Sequence, residues 1–260
     1  MKKTMMCFDV DGTLQDTVNH QVCPSTLKAL KQLKENGYYI IISSGRGVDS
    51  LKRTGIMKMA DWDGYVCNNG QVVLDEEEKE LFHGALSPQT IQETLRVAKE
   101  LDYAVVLKSQ PRMITKEPDE YVKESQRFFN NVIPPVGEYH GQEVAAMIVY
   151  GPKGYDYAPF FEIEGLTVLP GESTYADLTI QGISKATGIQ KLMEKYGCDE
   201  YVAFGDSLND VDMFCHAAKS VAMGQGNEKL KQMATYVTAP IDEDGIYKAC
   251  VHLKFINEGE

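Results

Sequence analysis

The chain has 260 residues, above the usual size of a single domain, so one large domain or a core interrupted by a second is open. Hydrophobic residues at 43% and charged residues at 25% put it in the ordinary soluble globular class. A net charge of -12, from 26 basic and 38 acidic residues, argues against a nucleic-acid backbone as partner, because that binding needs a basic stripe. No run approaches the roughly 18 apolar residues of a membrane span, so neither a nucleic acid nor a membrane is expected as partner. Any anionic ligand must be gripped locally.

The N-terminal stretch MKKTMMCFDVDG opens on lysines, as a signal peptide does, but Asp9 cuts its apolar run short, and a cytoplasmic location is expected. The first predicted element is a strand, TMMCF, which runs into Asp9-Val10-Asp11-Gly12-Thr13. Asp and Gly are poor strand residues, and two acids one residue apart repel each other. A helix follows over Ser25 to Asn36, with Leu27, Leu30 and Leu33 on one face and Gly37 as its stop. Tyr38 to Ile42 predicts a strand ending on Ser43-Ser44-Gly45-Arg46, and GYVC a strand ending on Asn68-Asn69-Gly70. Continuous apolar runs of this length suit strands buried on both faces of a parallel sheet.

Beyond a short strand, QVVLD, the acidic run Asp75 to Glu80 is predicted as a solvated turn or boundary. Ser87-Pro88 offers an N-cap and an N1 proline to a helix with Ile91, Leu95, Ala98 and Leu101 on one face. Strand-like YAVVL and RMIT, a helix over Asp119 to Asn130, the strand AAMIVY, a segment at Tyr155 to Phe161, and TVL follow. These make a second α/β module. The first pattern returns near Ile183, with a helix from a capping Ser184 to Tyr196 that stops at Gly197, then a strand, Tyr201 to Phe204, ending on Gly205-Asp206-Ser207-Leu208-Asn209-Asp210. Shorter elements close the chain, among them Ser220 to Met223 and Asn227 to Ala234. The predicted fold class is α/β: a doubly wound, Rossmann-like parallel-sheet core of residues 1–82 and 182–260 with an inserted α/β domain of residues 83–181. Six cysteines without a CxxC pair read as reduced and mostly buried thiols, and the five histidines lack paired metal spacing.

In such sheets ligands bind beyond the carboxyl ends of the strands, so the four polar clusters are expected to meet. If Asp9, Asp11, Asp206 and Asp210 converge, each like-charge pair ~4 Å apart costs about 4 kcal/mol at an effective dielectric of about 20. A hard divalent cation held by two or three oxygens and water resolves this, and magnesium prefers such a site. A calcium loop starting at Asp9 fails, because its positions for Gly and Glu hold Leu14 and His20; a plain Asp-Gly turn is the structural alternative. Magnesium with a carboxylate at a strand end points to phosphoryl transfer through an aspartyl-phosphate, with a second acid protonating the leaving oxygen.

The set DVDGT, SSGR, a lysine opening a helix at Lys185, and GDSLND, in that order, resembles the haloacid dehalogenase (HAD) superfamily, and the large insert between the second and third motifs looks like its Cof-type subfamily with an α/β cap. The resemblance implies a magnesium-dependent phosphatase acting on a small phosphorylated metabolite, a sugar phosphate being the expected class. It implies Asp9 as nucleophile and Asp11 as general acid/base, with magnesium bound by Asp9, the backbone carbonyl of Asp11, and Asp206. Ser44 and the Gly45 amide would hold a phosphoryl oxygen, Lys185 would neutralise the phosphoryl group and the nucleophile, Asn209 would contact phosphate, and Asp210 would support the metal site from behind. For these positions a helix cap at Ser44, a surface lysine at 185 and a capped turn at 209–210 are the bland alternatives. Asn69 fits the Asn-Gly of the family's third strand end, though Asn-Gly is also a common hairpin turn. Arg46 is expected either to approach the substrate or to pair with a surface acid.

The second motif departs from the family's frequent Thr-Gly-Arg but keeps the hydroxyl at Ser44. Specificity residues are expected between Phe82 and Gln181, where Lys108, Arg112, His83 and the tyrosines are unranked candidates. The rival enzyme is a phosphomutase. A phospho-accepting signalling module also combines acids, a hydroxyl, a lysine and magnesium, but it is about half this size and orders its parts differently.

Overall fold

A computed structural model describes residues 3–258 of the chain; Lys2, one of the two lysines noted above, lies outside the described residues with Met1. In chain order the regular elements are β1 (Thr4–Phe8), α1 (Pro24–Glu35), β2 (Tyr39–Ser43), α2 (Val48–Arg53), β3 (Gly64–Cys67), β4 (Val72–Asp75) and β5 (Glu80–His83). Then come α3 (Pro88–Glu100), β6 (Val105–Ser109), β7 (Met113–Ile114), α4 (Glu120–Phe128), β8 (Val144–Tyr150), α5 (Ala158–Phe161), β9 (Leu166–Pro170) and β10 (Tyr175–Ile180). The chain continues with α6 (Lys185–Tyr196), β11 (Glu200–Gly205), α7 (Val211–His216), β12 (Lys219–Ala222), α8 (Glu228–Met233), β13 (Tyr236–Val237) and α9 (Gly245–His252). It divides into two compact units, one of Met1–Phe82 with Ser184–Glu260, the other His83–Ile183.

The first unit is built on a sheet of order β13-β12-β11-β1-β2-β3-β4-β5. β1 runs parallel to both β11 and β2, and β2 parallel to β3. Met5, Met6, Cys7 and Phe8 are all fully buried, as befits a central parallel strand covered on both faces. α6 packs Ile189 and Leu192 against Met5, Cys7, Ile41 and Val66. Its start is fixed by a reciprocal cap in which Ser184 and Thr187 each satisfy the other's backbone N–H, so Lys185 is held at the first helical residue. β3 turns into the antiparallel β4 through Asn68, Asn69 and Gly70, all at positive φ. The topology therefore brings the residues after β11, β1, β2 and β3 to the carboxyl ends of four neighbouring strands.

The inserted unit carries a five-stranded sheet of order β7-β6-β8-β10-β9, antiparallel at each pairing of β8 and β10 with their neighbours. α3 begins as its sequence suggests, with the Ser87 hydroxyl accepting from the Thr90 N–H and Pro88 in the first turn. Its buried face joins Val105, Leu107, Met147 and Val149 in one core cluster, while Val106, Ile114, Val122 and Tyr150 form a second.

Some expectations are corrected. The acidic run is not uniformly solvated: Asp75 is buried at the end of β4, where its carboxylate accepts from the Lys79 and Glu77 N–H groups and pairs with Lys195 at 2.5 Å. A turn carboxylate that caps backbone donors is worth burying. β10 has no counterpart among the predicted elements, although Ala176, Leu178 and Ile180 alternate with polar residues in the manner of a strand; its Asp177 carboxylate is paired with Lys108 of β6 at 3.1 Å. Leu27 of α1 stays exposed while Ala29, Leu30 and Leu33 turn inward. Of the cysteines, all unbridged, Cys7, Cys67 and Cys250 are buried, Cys23 and Cys198 half-buried, and Cys215 exposed. No helix of the described residues is long and apolar enough to cross a membrane.

Candidate active site

Asp9 follows β1 directly, and its N–H continues the sheet ladder by donating to the Phe204 carbonyl of β11 at 2.9 Å. Its carboxylate Oδ1 accepts from Lys185 Nζ at 2.6 Å, and the same ammonium donates to Asp210 Oδ1 at 2.6 Å. Lys185 is 1% exposed, so a buried cation bridges two buried carboxylates. The surface-lysine alternative does not describe this geometry. Burial opposes the charge on Lys185, but Asp210 and Asp9 more than offset it and hold the ammonium above the usual lysine range. Burial pushes the Asp9 carboxyl up to about 7 against the pull of Lys185, helped by Asp210 and Asp11.

Asp210 is bound on both oxygens: Oδ1 by Lys185, Oδ2 by the N–H groups of Asp206 and Ser207 at 3.0 and 3.1 Å. It therefore shapes the loop after β11 while fixing the ammonium. Asp206 is held by the Asn227 N–H on its carbonyl at 2.7 Å, and its carboxylate lies so close to the β1 loop that a Cβ on Gly12 would sit 2.1 Å from Oδ2. Carboxylate oxygens of Asp9, Asp206 and Asp210 all lie within 4.8 Å of one another. This all-oxygen, strongly anionic donor set suits a hard divalent cation and no soft metal. Because Asp210 is already committed to protein donors, Asp9 and Asp206 are the side chains that would face such an ion.

The remaining expected residues are reached from the neighbouring strands. Ser44 is buried after β2, its N–H bonded to the Val66 carbonyl and its carbonyl accepting from the Asn69 N–H at 3.0 Å. It is not a helix cap, since Gly47 holds that position for α2. Asn69 belongs both to the β3–β4 turn and to this cluster, because its Oδ1 accepts from Asn209 Nδ2 at 3.2 Å, and Asn209 in turn accepts from the Ser207 hydroxyl at 2.7 Å. Gly45 is partly buried between Ser44 and Arg46. The loops after β1, β2, β3 and β11, together with the start of α6, thus supply one polar cluster within the first unit.

Of two further residues, Arg46 was left between two roles by its sequence and Gln225 was given none. Arg46 is buried and forks onto Asp11, Nε to Oδ2 at 2.9 Å and Nη2 to Oδ1 at 2.6 Å. Gln225 donates to the Gly12 carbonyl at 2.5 Å and accepts from the Ile241 N–H at 3.0 Å, tying the β1 loop to the C-terminal segment. Arg46 stands in the SSGR motif, but nothing local names Asp11 as its partner, and a Gln in a polar turn carries no signal that separates it from surface residues.

A largely parallel sheet thus carries an acid-rich, lysine-bridged cluster beyond the carboxyl ends of its central strands. The family model of the haloacid dehalogenase-like hydrolases matches residues 6–250. The chain belongs to that family, among its phosphatases. It is 29% identical over 262 residues to "Putative phosphatase YkrA" of Bacillus subtilis, covering 97% of this chain and 98% of that one. Among solved structures, a HAD subclass IIB sugar phosphatase, BT4131, superposes with a TM-score of 0.87 at 30% identity, covering 97% of this chain and all of the other. A HAD phosphatase from Bacteroides thetaiotaomicron, BT1666, gives 0.87 at 27% identity, with 98% and 96% of the chains covered.

Proposed function

We propose that the protein is a magnesium-dependent phosphatase that hydrolyses a small phosphorylated metabolite of the sugar-phosphate class. The observation that carries this reading is the buried Lys185 bridging Asp9 and Asp210 at 2.6 Å each, beside Asp206. The sugar-phosphate class rests on the likeness to the sugar phosphatase BT4131.

In this reading an oxygen of Asp9 attacks phosphorus while the bond from phosphorus to the ester oxygen breaks. Asp11 gives its proton to that oxygen, and the alcohol leaves. Asp11, now a carboxylate, takes a proton from the water that attacks the aspartyl-phosphate, and Asp9 is regenerated as inorganic phosphate departs. Lys185 keeps the Asp9 carboxylate oriented and lends positive charge to the transferred group. Ser44 and the Gly45 N–H, Asn69 and Asn209 are assigned to the phosphoryl oxygens. Asp9, the Asp11 carbonyl and Asp206 would hold magnesium, with Asp210 behind them; when bound, the ion supplies charge for the phosphoryl oxygens and balance for the clustered carboxylates. Residues 83–181 are assigned the selection of substrate. Free thiols at all six cysteines suit a reducing cytoplasm.

The test is phosphate release from a panel of sugar phosphates and an aryl phosphate, with magnesium or EDTA, by the native chain and Asp9→Asn. Turnover that needs magnesium and disappears in the variant is expected. Folded native protein that releases no phosphate from any ester would overturn the reading.

A further inference from the structure

We infer that Arg46 is a positioning residue, holding the Asp11 carboxyl in the orientation from which it exchanges a proton with the leaving oxygen; this rests on the phosphatase reading above. Asp11 lies in the turn that leaves β1, where backbone packing alone leaves an aspartate several rotamers. The guanidinium removes that freedom. Its Nε and Nη2 donate to separate oxygens of Asp11 at 2.9 and 2.6 Å, a planar fork matched to a planar carboxylate.

The fork is itself immobilised. Nη2 also donates to Gln15 Oε1 at 2.9 Å, Nη1 donates to Thr54 Oγ1 at 3.1 Å, and the Arg46 N–H donates to Ser44 Oγ at 3.1 Å. Gln15 is braced through its Nε2 on the His20 carbonyl at 2.9 Å, and Thr54, just past α2, donates to the Ser50 carbonyl at 2.8 Å. Four of the five guanidinium N–H groups therefore end on protein oxygens. Arg46 is 8% exposed, which suits neither a surface ion pair nor a side chain left to wrap a substrate. Each carboxylate oxygen has two lone pairs, and the fork uses one of each. The remaining position on each oxygen points away from Arg46: there the acid carries the proton it gives to the leaving oxygen, and there the carboxylate afterwards accepts one from water. Lysine would keep the charge and lose the fork.

The role is read from the leaving group. Protonation of the departing oxygen matters for an alkyl ester, whose alkoxide is a poor leaving group, and little for an aryl ester, and general acid catalysis is typically worth about 10² to 10⁴ in rate. The experiment compares kcat/KM, which covers the steps through phosphoryl transfer, for the best sugar phosphate of the panel and for 4-nitrophenyl phosphate. It uses the native enzyme, Arg46→Gln, Arg46→Lys, Asp11→Asn and the double variant. Arg46→Gln is expected to lower the sugar-phosphate value at least ~10-fold more than the aryl value, with Arg46→Lys between. On an Asp11→Asn background, Arg46→Gln should leave the ratio unchanged, because the residue acts through Asp11. Both esters are measured on one sample, so the ratio is independent of how much of a variant is folded. An unchanged ratio in Arg46→Gln, with native turnover intact, overturns the role of Arg46 alone. A native enzyme inactive on both esters overturns the phosphatase reading and this role with it.

Discussion

Asp9 is a carboxylate whose charge is opposed by its own burial and supported by one buried ammonium at 2.6 Å. Its carboxyl rises from 3.8 to about 7, so the folded chain holds this proton more tightly than the unfolded chain does. Without a divalent cation, stability therefore falls as pH rises from about 4 to about 7, because over that window the unfolded state gives up the proton first. A divalent cation competes with that proton. The rise in melting temperature on adding magnesium should therefore be larger at about pH 8 than at about pH 5. Equal rises would show that the ion binds without displacing a proton from the Asp9 cluster. Lys185 itself was legible, since a cation at a helix start is unfavourable unless an anion faces it; that Asp210, 25 residues on, shares the ammonium was not.

At the scale of elements, the site depends on where α6 begins. Gly70 of the β3–β4 turn lies at φ 99°, and a Cβ there would meet the Ser184 carbonyl oxygen at 2.0 Å, at the N-cap of the helix that carries Lys185. Gly70→Ala is expected to cost about 2–4 kcal/mol in urea unfolding and to reduce turnover, because neither a backbone carbonyl nor the reciprocal cap yields cheaply. Gly197, at the other end of the same helix, has φ 63° and open space around it. Gly197→Ala should cost only about 1 kcal/mol, the left-handed penalty alone, and leave kcat near native. Similar losses for the two variants would mean that the turn does not locate the helix. The Asn-Gly pair illustrates how one motif holds two meanings: it makes the hairpin, and its positive φ values leave Asn69 bonded to Asn209, 140 residues away.

For the whole molecule, the two units carry separate cores, with the polar cluster contained in the first. The assignment of substrate selection to the insert predicts the outcome of exchanging residues 83–183 for the insert of another HAD phosphatase. The rank of sugar phosphates by kcat/KM should change, while the need for magnesium and for Asp9 should not. An unchanged rank would return selection to the first unit.

Strand and helix alternation, the polar endings of the central strands, the caps of α3 and α6, and the acidic clusters that follow β1 and β11 were determined by the sequence itself, because they depend on residues close together in the chain. Tertiary structure alone decided which distant groups share a hydrogen bond. Arg46 reaches Asp11 because β1 and β2 are parallel neighbours. Lys195 covers the buried Asp75, and Asp177 is tolerated in a strand because Lys108 meets it across the sheet. Each case turns on a side chain satisfied by a partner far along the chain, and only the packed fold brings the two within hydrogen-bonding distance.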